Sequence, residues 1–287
     1  YPDFNLRLAK KLKALGIPVV YYISPQVWAW RTSRVFKIKK IVDKMLVLFP
    51  FEKQFYSKYG VDVEFVGHPL LDELKPEQFD FNDIQTQRQK YGVDKQDQLI
   101  GLMPGSRWSE IHHHLPTQLA TAERMYSVNP NLKFALLVAP TFSLEEIKNH
   151  LPDYKVPLLI IKDDPMKMIP LCDVILSASG TATLLVGLLE KPMVIMYKMN
   201  PLTAWLAKKF VKNTAFFGMI NLVLGKLVVN EYFQEAANPE QLSNSLLELV
   251  NQPEKRRQII AELKKAKDVL GNKGTTLRVA EALKEYL

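Results

Sequence analysis

Eight short apolar runs, each separated from the next by a polar segment, limit the folds open to this chain. They are Val19–Ser24, Met45–Phe49, Val63–Gly67, Leu99–Met103, Phe134–Ala139, Leu158–Lys162, Val174–Ser179 and Met193–Tyr197. Most are continuous rather than alternating, the pattern of strands covered on both faces in a parallel sheet. Helix candidates lie between them. In Asn5–Leu15, Leu8, Leu12 and Leu15 share a face, and Gly16 and Pro18 stop the helix. This alternation predicts an α/β, doubly wound architecture. The series breaks after Gly67-His68-Pro69, where the polar stretch from Lys75 to Gln98 intervenes, so a domain boundary is expected near Pro69. Three strands before it are too few for a complete doubly wound sheet, and the chain opens on Tyr1 without a methionine. The first domain is therefore expected to be the remainder of a longer one.

The charge is unevenly placed. Of a net +8, six basic residues fall between Arg31 and Lys44 (Arg31, Arg34, Lys37, Lys39, Lys40, Lys44) against one acid, Asp43. From Lys191 to Asn230 there are six lysines and no acid, set among Trp205, Phe210, Phe216 and Phe217. Basic residues interleaved with large apolar ones suit an anionic membrane surface. A solvated basic face over a buried stripe is the other reading of each segment. No nucleic-acid motif is present, and no apolar run is long enough for a membrane-crossing helix. The one cysteine, Cys172, excludes an internal disulfide, fits a reducing compartment and reads as core.

Two strand-to-helix junctions carry anion chemistry. Leu102-Met103-Pro104-Gly105-Ser106-Arg107-Trp108-Ser109-Glu110-Ile111 ends a strand in a Pro-Gly-Ser turn, whose free N–H groups sit at the positive end of a helix dipole beside a guanidinium. Val174 to Thr183, with Ser179-Gly180-Thr181-Ala182-Thr183 at its end, repeats the arrangement. A pair of such turns suggests a nucleoside diphosphate ligand. A third junction, Tyr22-Ile23-Ser24-Pro25-Gln26-Val27-Trp28-Ala29-Trp30-Arg31, brings two tryptophans and a cation to a strand end. It suits a sugar bearing a phosphate or carboxylate, or else the packing of a domain edge.

Several motifs stand in the order found in one enzyme family. They are Pro2-Asp3-Phe4-Asn5, Ser24 to Arg31, Pro50-Phe51-Glu52, Val66-Gly67-His68-Pro69-Leu70, Pro104 to Arg107 with Glu110-Ile111, Ser179 to Leu184, and Asn221, Glu231 and Gln234. In these the chain resembles lipid-A-disaccharide synthase over essentially its whole length. The resemblance implies a GT-B-type α/β fold, two Rossmann-like domains facing across a cleft. On that pattern residues 1–70 are the remainder of the acceptor-side domain, 71–270 the UDP-sugar donor domain, and 271–287 a helix returning to the first. The implied reaction joins UDP-2,3-diacylglucosamine to 2,3-diacylglucosamine 1-phosphate in a β-1,6 linkage, with inversion, without metal or other cofactor, and with release of UDP. The implied location is the cytoplasmic face of the inner membrane, and a homodimer is compatible with it.

The resemblance also implies roles. Gly105, Ser106, Arg107 and Glu110, with Ser179, Gly180, Thr181, Ala182 and Thr183, would hold the UDP. Asn221, Glu231 and Gln234 would line the donor side. Asp3, Asn5, Ser24, Trp28, Trp30 and Arg31 would face the acceptor, and Arg107 would also act in catalysis. The family's general-base aspartate would directly precede Tyr1, which leaves Asp3 as a substitute and this chain alone inactive or nearly so. A second departure is Leu185, where the family carries a glutamate on the ribose hydroxyls; Glu190 is a nearby replacement. Leu185 motivates a rival reading, an impaired homologue that binds nucleotide sugars or lipid. Another UDP-sugar enzyme of the same fold, such as an epimerase, fits the basic–apolar segments and the tryptophan turn less well. His112, His113 and His114 point different ways on a helix and read as surface residues rather than a metal site. His68 reads as a hinge residue.

Overall fold

The computed structural model describes residues 2–29, 31–200 and 216–286. The chain divides into two compact units, one built from residues up to Glu73 with the final segment from Lys267, the other beginning at Leu74 and ending at Ala266.

The first unit holds a parallel three-stranded sheet in the order β1 (Val20–Tyr22), β2 (Lys44–Val47), β3 (Val63–Phe65). Val20 stands opposite Lys44, and Met45 opposite Val63. Met45, Val47, Ile38, Val35 and Tyr56 form its core. β1 is shorter than its apolar run because Ile23 turns into the left-handed region, φ 65°, which a β-branched residue rarely enters. The helix Pro2–Ala14 corrects the expected face. Leu6 and Ala9 are buried with Leu12 packed beside them, whereas Leu8 and Leu15 are 45% and 74% exposed. The small Ala9 lets the helix approach the core, and apolarity alone did not reveal which stripe would do so. The last helix, Thr275–Lys284, is capped by Asp72, whose carboxylate accepts the N–H groups of Gly274 (2.6 Å) and Thr275 (3.1 Å). Arg278 adds a bond to the Val66 carbonyl, 2.7 Å.

The second unit is a fully parallel six-stranded sheet in the order β6-β5-β4-β7-β8-β9. The strands are β4 Leu99–Met103, β5 Lys133–Leu137, β6 Leu158–Ile161, β7 Val174–Ala178, β8 Met193–Tyr197 and β9 Glu231–Phe233. β4 and β7 are almost wholly buried, as their unbroken apolar runs require. Cys172, just before β7, is buried in this core, and burial pushes its thiol up to about 12. β9 has no counterpart among the apolar runs: it is three residues long, opens on a glutamate and lies at the sheet edge.

The basic stretch after Lys191 does not form a free cationic face where it is described. Lys198 donates to the Thr117 hydroxyl (2.9 Å), and Lys226 pairs with Glu262 (2.6 Å). Trp205, Lys208, Lys209, Phe210 and Lys212 lie outside the described residues. In the other segment, Val35, Ile38 and Ile41 are buried in the helix Val35–Ile41, while Phe36, Lys37, Lys39 and Lys40 are exposed. Among the described residues no helix is long and apolar enough to cross a membrane.

Candidate functional site

Strand order in the second unit reverses between β4 and β7. The chain leaves β4 toward β5 and β6, then returns to build β7, β8 and β9 on the other side. A doubly wound sheet opens a crevice beyond the carboxyl ends of the strands at such a reversal. The two glycine-bearing turns stand there. Pro104–Arg107 follows β4 and opens the 21-residue helix Trp108–Val128, and Ser179–Thr181 follows β7 and opens Ala182–Leu188.

At the first turn Gly105 has φ 129°, and a Cβ there would stand 2.5–2.6 Å from Glu110. Only glycine fits. The first N–H groups of the long helix have no carbonyl one turn back, and its dipole adds positive potential. In the turn just before the helix, the side chain that meets the donors is Glu110. Its Oε2 accepts the Ser106 N–H at 2.7 Å, and its Oε1 accepts from Arg107 Nη1 at 3.0 Å. Arg107 is otherwise largely in solvent, its side chain 78% exposed. The chain's own carboxylate thus rests on the groups expected to receive an external anion.

The second turn is knitted to residues 217–219. Ser179 Oγ donates to the Phe217 carbonyl (2.9 Å), while Thr183 Oγ1 donates to Gly180 O (2.8 Å) and accepts the Met219 N–H (3.1 Å). Gly180 and Thr181 are exposed, and Leu185 is half-buried. Glu190 lies past the far end of the helix, with φ 59°, and pairs with Lys264 at 3.8 Å.

Asn221, Glu231 and Gln234 are gathered at the same end of the sheet, with their polar atoms turned to the chain itself. Asn221, fully buried, accepts from Val228 and Val229 N–H and donates to Val229 O and Glu231 Oε1. Glu231 accepts the N–H groups of Phe217 (2.6 Å) and Gly218 (2.9 Å). Gln234 closes a two-bond clamp on Met199, accepting its N–H (2.9 Å) and donating to its carbonyl (3.1 Å). Two groups beside them were given no part in the donor site by the sequence. One is an aromatic row, in which Phe233 lies 5.0 Å from Phe217 and 6.1 Å from Tyr197 in stacked geometry. The Tyr197 hydroxyl is pushed up by burial and by the Glu110 charge.

The other is His114, which is a buried residue and not a surface one. It is 1% exposed, with Nδ1 2.8 Å from Pro104 O and Nε2 beside the Lys198 backbone. His112 and His113 are exposed, as read, with His112 6.0 Å from the Trp108 ring.

In the first unit the Ser-Pro turn is organised by Glu52, a residue the motif contains but to which no role was given. Buried at 4% exposure, Glu52 accepts from Ser24 Oγ (2.6 Å), Trp28 Nε1 (3.2 Å) and Phe49 N–H (3.3 Å). Burial pushes its carboxyl above the usual range, partly offset by these donors. Trp28 also packs edge-on against Phe51, 4.9 Å between centroids. Asp3 is exposed and pairs with Arg34 at 2.8 Å, and Asn5 is exposed. Arg31 adopts φ 58° at the end of the turn. Trp30 lies outside the described residues. His68 is buried against Phe49, accepts the Leu70 N–H at 3.2 Å, and is driven down to about 4 by burial.

Comparison with known proteins adds three findings. The family described as lipid-A-disaccharide synthetase matches residues 1–284. The chain is 41% identical over 271 residues to the lipid-A-disaccharide synthase of Nitrosococcus oceani, covering 94% of this chain and 69% of that protein. It is 41% identical over 284 residues to the synthase of Trichlorobacter lovleyi, covering 98% and 72%. Among solved structures it is similar to a UDP-GlcNAc 2-epimerase from Neisseria meningitidis bound to UDP-GlcNAc. The TM-score there is 0.60 at 13% identity, with 97% of this chain and 73% of that one covered, a likeness of fold alone. The fold class is GT-B, α/β with parallel sheets.

Proposed function

We propose the reaction of this chain from the premise that it belongs to the lipid-A-disaccharide synthase family and is a glycosyltransferase of lipid A biosynthesis. The reaction is transfer of 2,3-diacylglucosamine from its UDP ester to a hydroxyl of 2,3-diacylglucosamine 1-phosphate, giving a β-1,6 disaccharide and UDP. The acceptor oxygen attacks the anomeric carbon from the face opposite UDP. Its proton passes to a carboxylate, and the electron pair of the breaking C–O bond passes to the β-phosphate.

The observation that carries this reading is the pair of turns at the switch point of the second unit, with Arg107 at one of them. Donor binding is assigned to that unit. Gly105, Ser106 and the opening of the long helix receive the diphosphate, Gly180 and Thr181 the remainder of the nucleotide. Arg107 neutralises the charge that grows on the leaving phosphate, an interaction stronger in the transition state than before it. Glu110 is a placeholder that yields its donors to the diphosphate. Asn221, Glu231 and Gln234 serve the donor by holding backbone rather than by touching it. The proton acceptor is assigned to the aspartate of the family motif, since Asp3 is engaged with Arg34. Contact with an anionic membrane surface is assigned to the exposed Phe36, Lys37, Lys39 and Lys40.

Incubation of the protein carrying that aspartate with UDP-2,3-diacylglucosamine and the diacylglucosamine 1-phosphate acceptor tests the proposal. Mass spectrometry should find disaccharide and UDP in equal amounts, with or without a chelator. UDP release without a disaccharide product would contradict the assigned acceptor, and no UDP binding at all would contradict the donor site.

A further inference from the structure

We infer that His114 is a positioning residue for the donor site, one ring that fixes the Pro104–Arg107 turn relative to the exit of β8. The inference rests on the donor reading above. His114 lies on the buried face of the helix Trp108–Val128, about two turns from its start. Its Nδ1 is 2.8 Å from the Pro104 carbonyl, which can only accept, so Nδ1 carries a proton. Nε2 then faces the Lys198 backbone, 3.1 Å from its N–H and 3.0 Å from its carbonyl. Burial lowers the ring's affinity for a proton, offset in part by its bonds to Pro104 and Lys198, and in the neutral ring with Nδ1 protonated Nε2 receives the Lys198 N–H. One side chain satisfies two main-chain groups that lie 94 positions apart, at Pro104 and Lys198.

The rest of this helix face makes the placement specific. Thr117, three residues on, accepts from Lys198 Nζ at 2.9 Å, so residue 198 is held by both backbone and side chain. Gln118, four residues on from His114, donates from Nε2 to Met103 O (3.2 Å) and Leu176 O (3.3 Å), tying the end of β4 to the middle of β7. Met199, next along, is clamped by Gln234. Without His114 the bond between β4 and β7 through Gln118 survives, while the first turn loses its own tie to the Lys198 backbone and only the Thr117 bond to the Lys198 side chain remains between the helix and that residue. The Gly105 turn would then sample positions in which Arg107 and the helix N–H groups no longer converge on one diphosphate, so the loss should appear in donor binding and not in acceptor binding.

Three substitutions separate this role from packing. His114→Leu fills the space without polar atoms, His114→Asn reproduces the reach of Nδ1 to Pro104, and His114→Gln reproduces the reach of Nε2 to Lys198. UDP binding is measured by calorimetry, and KM for each glycolipid substrate by steady-state turnover of the protein carrying the motif aspartate. His114→Leu should weaken UDP binding about five- to tenfold, the worth of one to two hydrogen bonds, with the acceptor KM unchanged. Asn and Gln should each recover part of that loss. Ring 15N spectra of the unaltered protein should show a protonated Nδ1 and an unprotonated Nε2. Equal UDP binding in the parent and a folded His114→Leu protein overturns the inference, as does an equal rise in both KM values. Should the leucine variant not fold, Asn and Gln variants that bind UDP like the parent overturn it equally. Absence of UDP binding by the parent overturns the donor reading first, and this inference with it.

Discussion

Replacing Glu110 by glutamine should tighten UDP binding, although it removes a residue from a motif at the centre of the donor turn. The carboxylate accepts the Ser106 N–H at 2.7 Å and the Arg107 guanidinium at 3.0 Å, so a diphosphate must take both from it. The ion pair is exposed on the arginine side and contributes at most about 1 kcal/mol. The N–H bond to a charged acceptor contributes about 1.5–3 kcal/mol, against about 0.5–1.5 kcal/mol for a neutral carboxamide in its place. Glutamine retains an acceptor for Ser106 and so preserves the turn, but it competes with the phosphate less strongly by about 1–2 kcal/mol. That corresponds to roughly five- to thirtyfold tighter UDP. Calorimetric titration at low and high salt is the assay, and the gain should shrink as salt rises because an exposed charge is being removed. The variant should also melt slightly lower, since a carboxylate in the first turn of a helix contributes about 0.3–1 kcal/mol. Weaker or unchanged UDP binding in a folded Glu110→Gln protein would refute the reasoning. The carboxylate would then be orienting Arg107 for a diphosphate bound elsewhere.

Arg107→Ala should lower kcat by about a hundredfold or more and weaken UDP, with folding intact; Arg107→Lys should recover only part, because an ammonium lacks the paired donors of a guanidinium. Near-normal turnover in the alanine variant would return Arg107 to the surface. Leu185→Glu should strengthen UDP binding by about 1.5–3 kcal/mol if the ribose hydroxyls lie beside the helix Ala182–Leu188, and calorimetry showing no gain would remove them from it. His68 gives a pH-dependence of stability. Burial lowers it from 6.5 to about 4, so it is neutral in the fold and takes up a proton on unfolding below about 6.5. Its contribution, up to about 3 kcal/mol, is present above pH 6.5 and is lost as the pH falls toward 4. Urea unfolding of His68→Leu at pH 7 and pH 4.5 should show a smaller difference than the parent protein, and an equal difference would exclude His68 as the source.

What the sequence made legible, and what it did not, follows from how far each interaction reaches along the chain. β4, β7 and β8 were readable because strands covered on both faces leave unbroken apolar runs, and their order then located the two turns at the reversal. β9 was not, since an edge strand of Glu231, Tyr232 and Phe233 has no run to leave. The face of the first helix was misread because burial selected Leu6 and Ala9, and a small residue is as good a contact as a leucine when the core is close. At the site, residue type and spacing pointed to an anion at Gly105–Arg107 but were silent about Glu110 resting there. The polar clamps were harder still. His114, Asn221, Glu231 and Gln234 bond main-chain groups, which every residue carries, so their partners leave no mark in the sequence. A motif residue that touches a ligand and one that holds the turn beneath it therefore look alike until their hydrogen bonds are traced. Asn221 makes the case most plainly. Fully buried, it spends its carboxamide on two N–H groups, one carbonyl and Glu231, and a donor substrate can reach it only after the chain gives up those bonds. Glu231 is fastened in turn to Phe217 and Gly218, and Ser179 to Phe217, so loss of Asn221 should move the second turn without any contact to UDP being deleted.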